Sequence, residues 1–487
     1  MSQNKSPLAG LYDWLDERTG IKAGVSAMLD EPIRGGARFA YVFGSILLTL
    51  FILQVVGGIV LSLYYVPSAD HAHTSVSYIQ KVVPGGALIR GIHHYGASAM
   101  VIVAVLHLAQ AYLFGAYKNK RELLWGSGGL MLLIIFGFAF TGYLLAWDQA
   151  AYFGTKVGTS IAGEMPVVGS IQQKIILGGN DLTTITLSRF FTVHVFLLPL
   201  ALAGLAGLHL FLFRRAGPAG PFHNRDDHKT ERFYPGQMFR DTVAIAIVFS
   251  ILVWLSGAMP AELGPVADPS SDYLARPPWY FLPLFQLLKY FPGQLSLIPT
   301  VLLPGALFGA LFLLPFFDRN PERHPFRRPV AVGVLAVILL SAIGLMWLSK
   351  VQDHSDPEVA KKLLEQEEEQ RGFFNAPFKP QEIGAAAVPA AAAKPGAGTT
   401  VAANVPAPPP AYVESCADCH GDKGQGTDDG PDLLGISAKE KRTKEDLGKI
   451  LEDSRAYGLK KPMPKNFPDL SAEDKQKIVD WMLALKK

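Results

Sequence analysis

The stretch LIRGIHHYGASAMVIVAVLHLAQAYLFGAY, residues 88–117, is mostly apolar and contains His93 and His107, which are 14 positions apart. It is long enough to cross a bilayer as an α-helix. At about 100° per residue, 14 steps leave a net rotation of about −40°, so both histidines lie broadly on one face, with about 21 Å of rise between them. Ionisable side chains inside a membrane span are costly and usually functional. This helix therefore presents two histidines at two depths of the membrane.

A second apolar stretch repeats the pattern. FFTVHVFLLPLALAGLAGLHLFLF, residues 190–213, contains His194 and His209, 15 positions apart, which is about +60° of rotation and again one broad face. One further span separates the two helices, so they run in the same direction. His93 then faces His194 near the outer side, and His107 faces His209 near the inner side. The pattern predicts two non-covalent haems, each with two imidazole ligands. Buried histidines satisfied by neighbouring groups are the alternative, which a matched pair of pairs disfavours.

Long apolar runs dominate the chain, in which hydrophobic residues make up 49%. Seven runs are long enough to cross a bilayer at about 1.5 Å per residue. The fold class is therefore all-α: a seven-span transmembrane helix bundle that holds the two haems, followed by a small all-α domain. The net charge of +3 gives no support to nucleic-acid binding. The predicted spans are residues 40–66, 88–117, 127–147, 190–213, 242–258, 298–317 and 330–349.

Loop charges predict the orientation, because basic residues concentrate on the cytoplasmic side. The loops after the second, fourth and sixth spans are rich in them, and seven spans then put the C-terminus outside the cytoplasm. The expected location is a bacterial inner membrane, crossed several times, with a cytoplasmic N-terminus. The basic residues of these inner loops include Lys118, Lys120, Arg121, Arg214, Arg215, Arg323, Arg327 and Arg328.

Composition divides the chain into five parts. Residues 1–38 are a cytoplasmic segment, 39–217 hold the four spans with the histidines, and 218–350 hold three more spans. Residues 351–410 combine a charged helix with an Ala/Pro-rich linker that has little to bury. Residues 411–487 regain the composition of a small soluble domain.

The last domain contains the only two cysteines, in Cys416-Ala-Asp-Cys419-His420. This C-x-x-C-H element predicts covalent attachment of a c-type haem, with His420 as one axial ligand. Met463 is the expected sixth ligand, and Met482 is the alternative. A redox dithiol or half of a zinc site is the rival interpretation. The exported position favours haem, because c-type haem is normally attached outside the cytoplasm.

Glycines and arginines fit the same scheme. Small residues let a flat macrocycle approach a helix backbone, and arginines can pair with haem propionates, although interfacial anchoring is an equally good explanation for the arginines. The glycines lie 14 positions apart on the first and third spans. The candidates are Gly44, Gly58, Gly128, Gly142, Arg90, Arg121 and Arg214.

The membrane part resembles the cytochrome b family of quinol-oxidising bc complexes, over residues 39–349. The 15-residue histidine interval and the absence of an eighth span are similar to the chloroplast and Gram-positive branch, in which the b subunit is split in two; here both pieces are joined. The terminal domain resembles small monohaem cytochromes c. The resemblance rests on Arg90-Gly-Ile-His93, Gly96-Ala-Ser98, Gly142-Tyr-Leu-Leu-Ala-Trp147-Asp148-Gln149, Arg189-Phe-Phe-Thr-Val-His194 and Pro277-Pro278-Trp279-Tyr280.

The resemblance implies a quinol:cytochrome c oxidoreductase. It implies that quinol is oxidised at the outer face, with proton translocation. One electron is expected to cross through the two b haems and reduce quinone inside, and the other to reach the fused haem c through an iron–sulfur protein. It implies a Rieske-type iron–sulfur protein in a separate chain, a cytochrome c acceptor and a homodimeric complex in the bilayer. The branch often carries a cysteine for an extra covalent haem on the first helix. No cysteine lies near Val42, so no such haem is expected.

One departure concerns the outer quinol site, where the family usually has Pro-Glu-Trp-Tyr and the glutamate accepts a proton. This chain has Pro278 before Trp279 and Tyr280, and proline cannot accept a proton. Asp148 and Glu262 are the replacement candidates, with water as the other possibility. Two other functions are open: a di-haem anchor linking the quinone pool to a peripheral dehydrogenase, and a non-catalytic docking subunit.

Overall fold

The computed structural model describes residues 7–217, 219, 230–380, 408–421, 424, 433, 443–452 and 470–485. The chain forms two compact units, residues 1–386 and 387–487, and each is described by itself.

The first unit contains seven helices that are long and apolar enough to cross a membrane, which confirms the predicted number. The fifth and seventh spans are longer than predicted, because each continues through a polar end. The fourth consists of Thr184–Thr192, a π-helical turn Val193–Leu197 and Leu198–Ala216. The seven spans are Phe43–Ser62, Gly86–Leu113, Glu122–Leu144, Thr184–Ala216, Phe233–Ala258, Ile298–Phe317 and Pro329–Ser355.

Shorter elements lie outside the seven spans. Pro32–Arg34 and Thr230–Arg232 form a two-stranded antiparallel sheet. The helices outside the spans, within the described residues, are Pro7–Thr19, Ile21–Leu29, Ala72–Lys81, Gln149–Gly163, Gly169–Leu177, Leu282–Leu288 and Pro357–Asn375, and in the second unit Pro410–Ser415, Ala417–His420, Lys444–Glu452 and Ala472–Ala484.

The bundle packs the first, second and fifth spans together and the third against the fourth. Buried apolar side chains such as Leu50, Val101 and Leu252 form its centre. Outward-facing Leu200 and Val330 are 70% and 79% exposed. Large exposed apolar surfaces are rare on soluble monomers, so the outward faces match a lipid environment.

A cluster of charges joins the loop after the second span to the loop after the sixth. It lies on the side expected to face the cytoplasm, called the inner side here, and the opposite side is called the outer side. The hydroxyl of Tyr117, which is 1% exposed, donates to Asp318. Lys118 Nζ lies 2.9 Å and Arg328 Nη2 3.5 Å from Asp318 carboxylate oxygens. Burial alone would raise the pKa of Asp318. Hydrogen bonds from Tyr117 and Lys118 outweigh that effect and hold the pKa below its usual value. This inner clamp ties the segment after the second span to the loop between the sixth and seventh spans.

The helix Pro357–Asn375 was expected to be solvated, and it has no buried residue. Its end nevertheless rests on the outer helix Ala72–Lys81. Lys81 Nζ donates to Phe373 O at 2.7 Å and to Ala376 O at 2.8 Å, and the Phe373 ring lies 5.1 Å from His73. The start of the linker is thus held at the outer face of the first unit.

We expect Asp318→Asn to destabilise the protein strongly. Lys118 and Arg328 are only 6% and 3% exposed, and breaking a buried ion pair by removing one partner costs about 3–5 kcal/mol. The melting temperature of the solubilised protein measures this. Glu322→Gln is the matched control, because its ion pair with Arg327 is exposed and is worth about 1 kcal/mol or less. Equal melting temperatures for both variants would contradict the clamp.

Candidate functional site

The structure brings His93 and His194 together. Their ring centroids are 6.4 Å apart, with an angle of 68° between the ring planes. A metal ion about 2 Å from one nitrogen of each ring, as in metal–histidine sites, places two imidazole centroids about 6 Å apart. The observed separation therefore fits two axial ligands of one haem iron.

The inner pair is His107 and His209, which lie close enough to interact electrostatically. All four histidine side chains are half-buried, but the Nδ1 atoms of His93 and His107 are buried without a hydrogen-bond partner of normal geometry in the described part of the chain. A buried polar atom without a partner is costly. Four half-buried imidazole rings in two facing pairs suit two bis-imidazole haems.

A π-helical turn, Val193–Leu197, contains His194. The N–H of Leu198 bonds the carbonyl of Val193, five residues back, so this turn holds one residue more than an α-turn. Pro199 has no N–H to donate and occupies the first turn of the helix that follows. Isolated π turns are frequent at functional sites. The extra residue lets the 15-residue interval of the fourth span place its two histidines opposite those of the second span, which are 14 residues apart.

Two hydroxyl groups hold the rings of the fourth-span histidines. Thr141 Oγ1 lies 3.0 Å from His194 Nδ1, and Ser127 Oγ lies 2.9 Å from His209 Nδ1. Sequence reasoning missed both residues. The signal was available, because each immediately precedes one of the predicted glycines on the third span.

Three of the four predicted glycines lie against these rings. A Cβ at Gly142 would be 2.5 Å from His194 Cε1, one at Gly58 3.3 Å from His93 Cε1, and one at Gly128 3.4 Å from His209 Cε1. A Cβ at Gly44 would meet nothing within 4 Å. These three glycines therefore leave room for the histidine rings beside the backbone. The sequence had predicted only that they leave room for the haem macrocycle.

The arginines have other partners in the structure. Arg90 donates to the carbonyls of Ala261 and Glu262 at 2.7 and 2.6 Å. Arg121 donates to backbone carbonyls that include Ala216 O at 3.2 Å. Arg214 is exposed. Their assignment to propionates stays a prediction.

The outer loop places Trp279 and Tyr280 at the start of a short apolar helix. Trp279 Nε1 lies 3.3 Å from Ser98 Oγ of the second span. Burial raises the pKa of Tyr280 to about 12, so its phenol is protonated at neutral pH. Arg276, just before this motif, binds Asp353 of the seventh span through two 2.8 Å hydrogen bonds. The motif is therefore fixed against two spans.

The two candidate acids occupy different environments. Asp148 is buried. Its Oδ1 accepts a hydrogen bond from the N–H of Ala151 at 2.9 Å and so caps the helix Gln149–Gly163. Its Oδ2 accepts from the N–H of Gly264 at 3.1 Å. Those contacts favour a structural role. Glu262 is exposed, and its Oε2 accepts from Gln370 Nε2 at 2.7 Å.

A buried acid on the fifth span was missed, because the predicted span began one residue after it. Asp241 is 7% exposed, and its Oδ1 accepts from Gln237 Nε2 at 2.7 Å. It lies toward the inner end of the span. An intramembrane acid is a functional candidate by default.

In the second unit, Cys416 is buried in an apolar cluster with Tyr412, Trp481 and Met482. Its backbone carbonyl accepts from the N–H of His420 at 2.9 Å. The cluster gives Met482 a packing role, as the sequence pattern indicated. Met463 and the side chain of Cys419 lie outside the described residues, so the haem c ligand set stays a prediction.

Three family models match the chain. Cytochrome b/b6/petB matches residues 28–217, the C-terminal cytochrome b/b6/petD model matches 265–363, and the subunit III model of cbb3-type cytochrome c oxidase matches 403–482.

Curated relatives and a solved structure agree with these matches. A cytochrome bc complex cytochrome b subunit of Chlorobaculum thiosulfatiphilum is 34% identical, over 67% of this chain and 79% of its own. A menaquinol:cytochrome c reductase cytochrome b subunit of Geobacillus thermodenitrificans is 39% identical, over 43% of this chain and 98% of its own. The hyperthermophilic respiratory Complex III structure has a TM-score of 0.64 at 30% identity, over 74% of this chain and 96% of the matched chain.

We expect Gly142→Ala to displace the His194 ring, because the new Cβ would lie 2.5 Å from Cε1 while Thr141 holds the ring in place. The predicted result is loss of about half of the haem b per protein, measured from the haem b absorbance of the purified complex. Gly137→Ala is the matched control on the same helix, since its Cβ would meet Leu198 atoms at an ordinary 3.8 Å. Full haem b content in Gly142→Ala would count against this ligand position.

Proposed function

The chain belongs to the cytochrome b family, as the b subunit of a bc-type complex with a fused cytochrome c domain, and on this premise we propose that it takes part in quinol oxidation at the outer face coupled to proton translocation. Haems b held by the two histidine pairs would carry one electron of each quinol inward. A separate Rieske-type iron–sulfur protein would pass the other to a haem c on the fused domain, and from there to a cytochrome c acceptor.

The observation that supports this most is the pairing of His93 with His194 at a separation that suits one iron between them. The second pair, His107 with His209, lies deeper on the same two helices. Non-covalent haems bound there would supply one-electron transfer between the two faces. The protein's own contribution is to orient the ligands in a dry, apolar bundle.

The partner and assembly assignments rest on the family. The two cysteines lie in the C-terminal C-x-x-C-H motif, which leaves no ligand set for an iron–sulfur cluster in this chain. We therefore propose a Rieske-type protein as a second subunit and a homodimeric complex in the inner membrane, with the N-terminus in the cytoplasm and the cytochrome c domain outside.

At the outer site we propose Glu262 as the proton acceptor that replaces the missing motif acid. It is exposed and can exchange protons with solvent, whereas the two carboxylate oxygens of Asp148 already accept backbone N–H groups. The Arg90 guanidinium holds the Glu262 carbonyl. This contact fixes the loop beside the second span.

At the inner side, Asp241 is the buried acid best placed for proton uptake during quinone reduction. Its hydrogen bond from Gln237 and its position near the inner end of the fifth span support this assignment.

Purification of the intact complex tests the main proposal. We expect an iron–sulfur electron paramagnetic resonance signal to accompany the chain, and an inhibitor of the outer quinol site to block quinol-driven reduction of haem c. A di-haem anchor for a peripheral dehydrogenase would instead show haem b reduction by quinol without an iron–sulfur signal and without inhibition. That result would overturn the bifurcating mechanism.

We predict that Glu262→Gln lowers quinol oxidation by about 10- to 100-fold, the lower range for general-base catalysis. A glutamine amide does not ionise, so the variant should also show a dependence of rate on pH that differs from wild type. Steady-state rates across pH measure both effects.

Glu164→Gln is the matched control, since Glu164 is another exposed acid of the outer loops and should leave the profile unchanged. Asp148→Asn should chiefly lower the melting temperature. A wild-type rate and pH profile in Glu262→Gln would show that water or another group accepts the proton.

A further inference from the structure

The hydroxyls of Thr141 and Ser127 each contact a histidine and the backbone of their own helix; Thr141 Oγ1 also lies 3.4 Å from Phe138 O. Thr141 Oγ1 lies 2.8 Å from Gly137 O in addition to its 3.0 Å contact with His194 Nδ1. Ser127 Oγ lies 2.8 Å from Leu124 O in addition to its 2.9 Å contact with His209 Nδ1. The two sites repeat one local design on the third span.

Those contacts determine the direction of each hydrogen bond. A hydroxyl has one hydrogen and two acceptor lone pairs, and a backbone carbonyl can only accept. The hydrogen of Thr141 therefore goes to Gly137 O, and its oxygen accepts from His194 Nδ1–H. The same reasoning assigns Nδ1–H to His209. Both rings then carry their free lone pair on Nε2.

We propose that Thr141 and Ser127 are positioning residues that fix the ligand tautomer and set the reduction potentials of the outer and inner haem b, respectively. The inference rests on the proposed function, because it requires haem at both pairs. It concerns the hydroxyls on the third span, which are not ligands themselves.

In each pair, a hydroxyl acts on only one of the two histidine ligands. Among the described residues, His194 and His209 each have a hydroxyl beside Nδ1, whereas Nδ1 of His93 and of His107 has none. The fourth-span ligand of each haem is thus the one whose basicity a side-chain hydroxyl adjusts. Each hydroxyl contacts one histidine only, so the two potentials are adjustable independently.

The expected direction follows from ligand basicity. An acceptor at Nδ1–H raises the electron density of the imidazole and makes it a more basic ligand. A more basic ligand stabilises the oxidised iron over the reduced iron. Removal of the acceptor should therefore raise the reduction potential of the haem concerned.

The experiment uses the intact complex with Thr141→Val, which keeps the volume and removes the hydroxyl, and with Ser127→Ala. Optical redox titration of the b haems is the readout. Thr141→Val should raise the potential of the outer haem and leave the inner one unchanged. Ser127→Ala should do the reverse. Thr141→Ser and Ser127→Thr keep the acceptor and should restore wild-type potentials.

Thr49→Val is the matched control. Thr49 Oγ1 bonds its own helix at Ser45 O, 2.9 Å away, and contacts no histidine, so both potentials should stay at wild-type values. The change in the electron paramagnetic resonance spectrum of the oxidised haems should follow the same pattern, with one haem affected by each variant.

Two results overturn the inference. One is that both hydroxyl variants keep full haem b and wild-type potentials. The other is that Thr141→Ser shifts the reduction potential of the outer haem as far as Thr141→Val does, because the hydroxyl would then have no effect. Failure of the proposed function is distinguishable from these results, because wild type itself would then lack two b-type transitions in the titration.

Discussion

The constraint on which the structure depends is the pairing of imidazoles inside an apolar bundle. An unpaired polar nitrogen in such surroundings costs free energy, and the membrane offers no water to offset it. A metal ion between His93 and His194, whose rings lie 6.4 Å apart, would give one nitrogen of each ring a partner. The second and fourth spans must therefore keep one relative rotation over the whole distance between the outer and inner pairs. This requirement gives the bundle its register.

That register explains features that otherwise look unrelated. The second span carries its histidines 14 positions apart and the fourth 15, an angular difference of about 100° on regular helices. The π turn at Val193–Leu197 absorbs the extra residue. Beside it, Gly142 lets the His194 ring reach the backbone of the third span, and Thr141 holds the ring there. The π turn, Gly142 and the Thr141 hydroxyl thus all help to position one ligand, His194.

The features of the fold that depend on helical periodicity could be predicted from the sequence. Seven apolar runs and two histidine intervals predict the spans and the facing pairs, because an ideal helix converts spacing into rotation and rise. Thr141 and Ser127 were not predictable in this way, because a hydroxyl on a membrane helix usually bonds its own backbone. Their second contact depends on how close the third and fourth spans lie. The same limit applies to Asp148, whose position beside a conspicuous motif suggested chemistry. Only the structure shows its two oxygens accepting backbone N–H groups from separate segments.

The outer face shows how the chain can tolerate Pro278. The loop is positioned by Arg276, which binds Asp353 of the seventh span with two hydrogen bonds, so an acid in the motif is not needed to hold it. Proline fixes the backbone at that point, and the proton-accepting role can then move to a neighbouring segment. Glu262 lies on such a segment, and its partner Gln370 belongs to the helix that leads into the linker. Glu262 thus lies between the loop after the fifth span and the helix that leads into the linker.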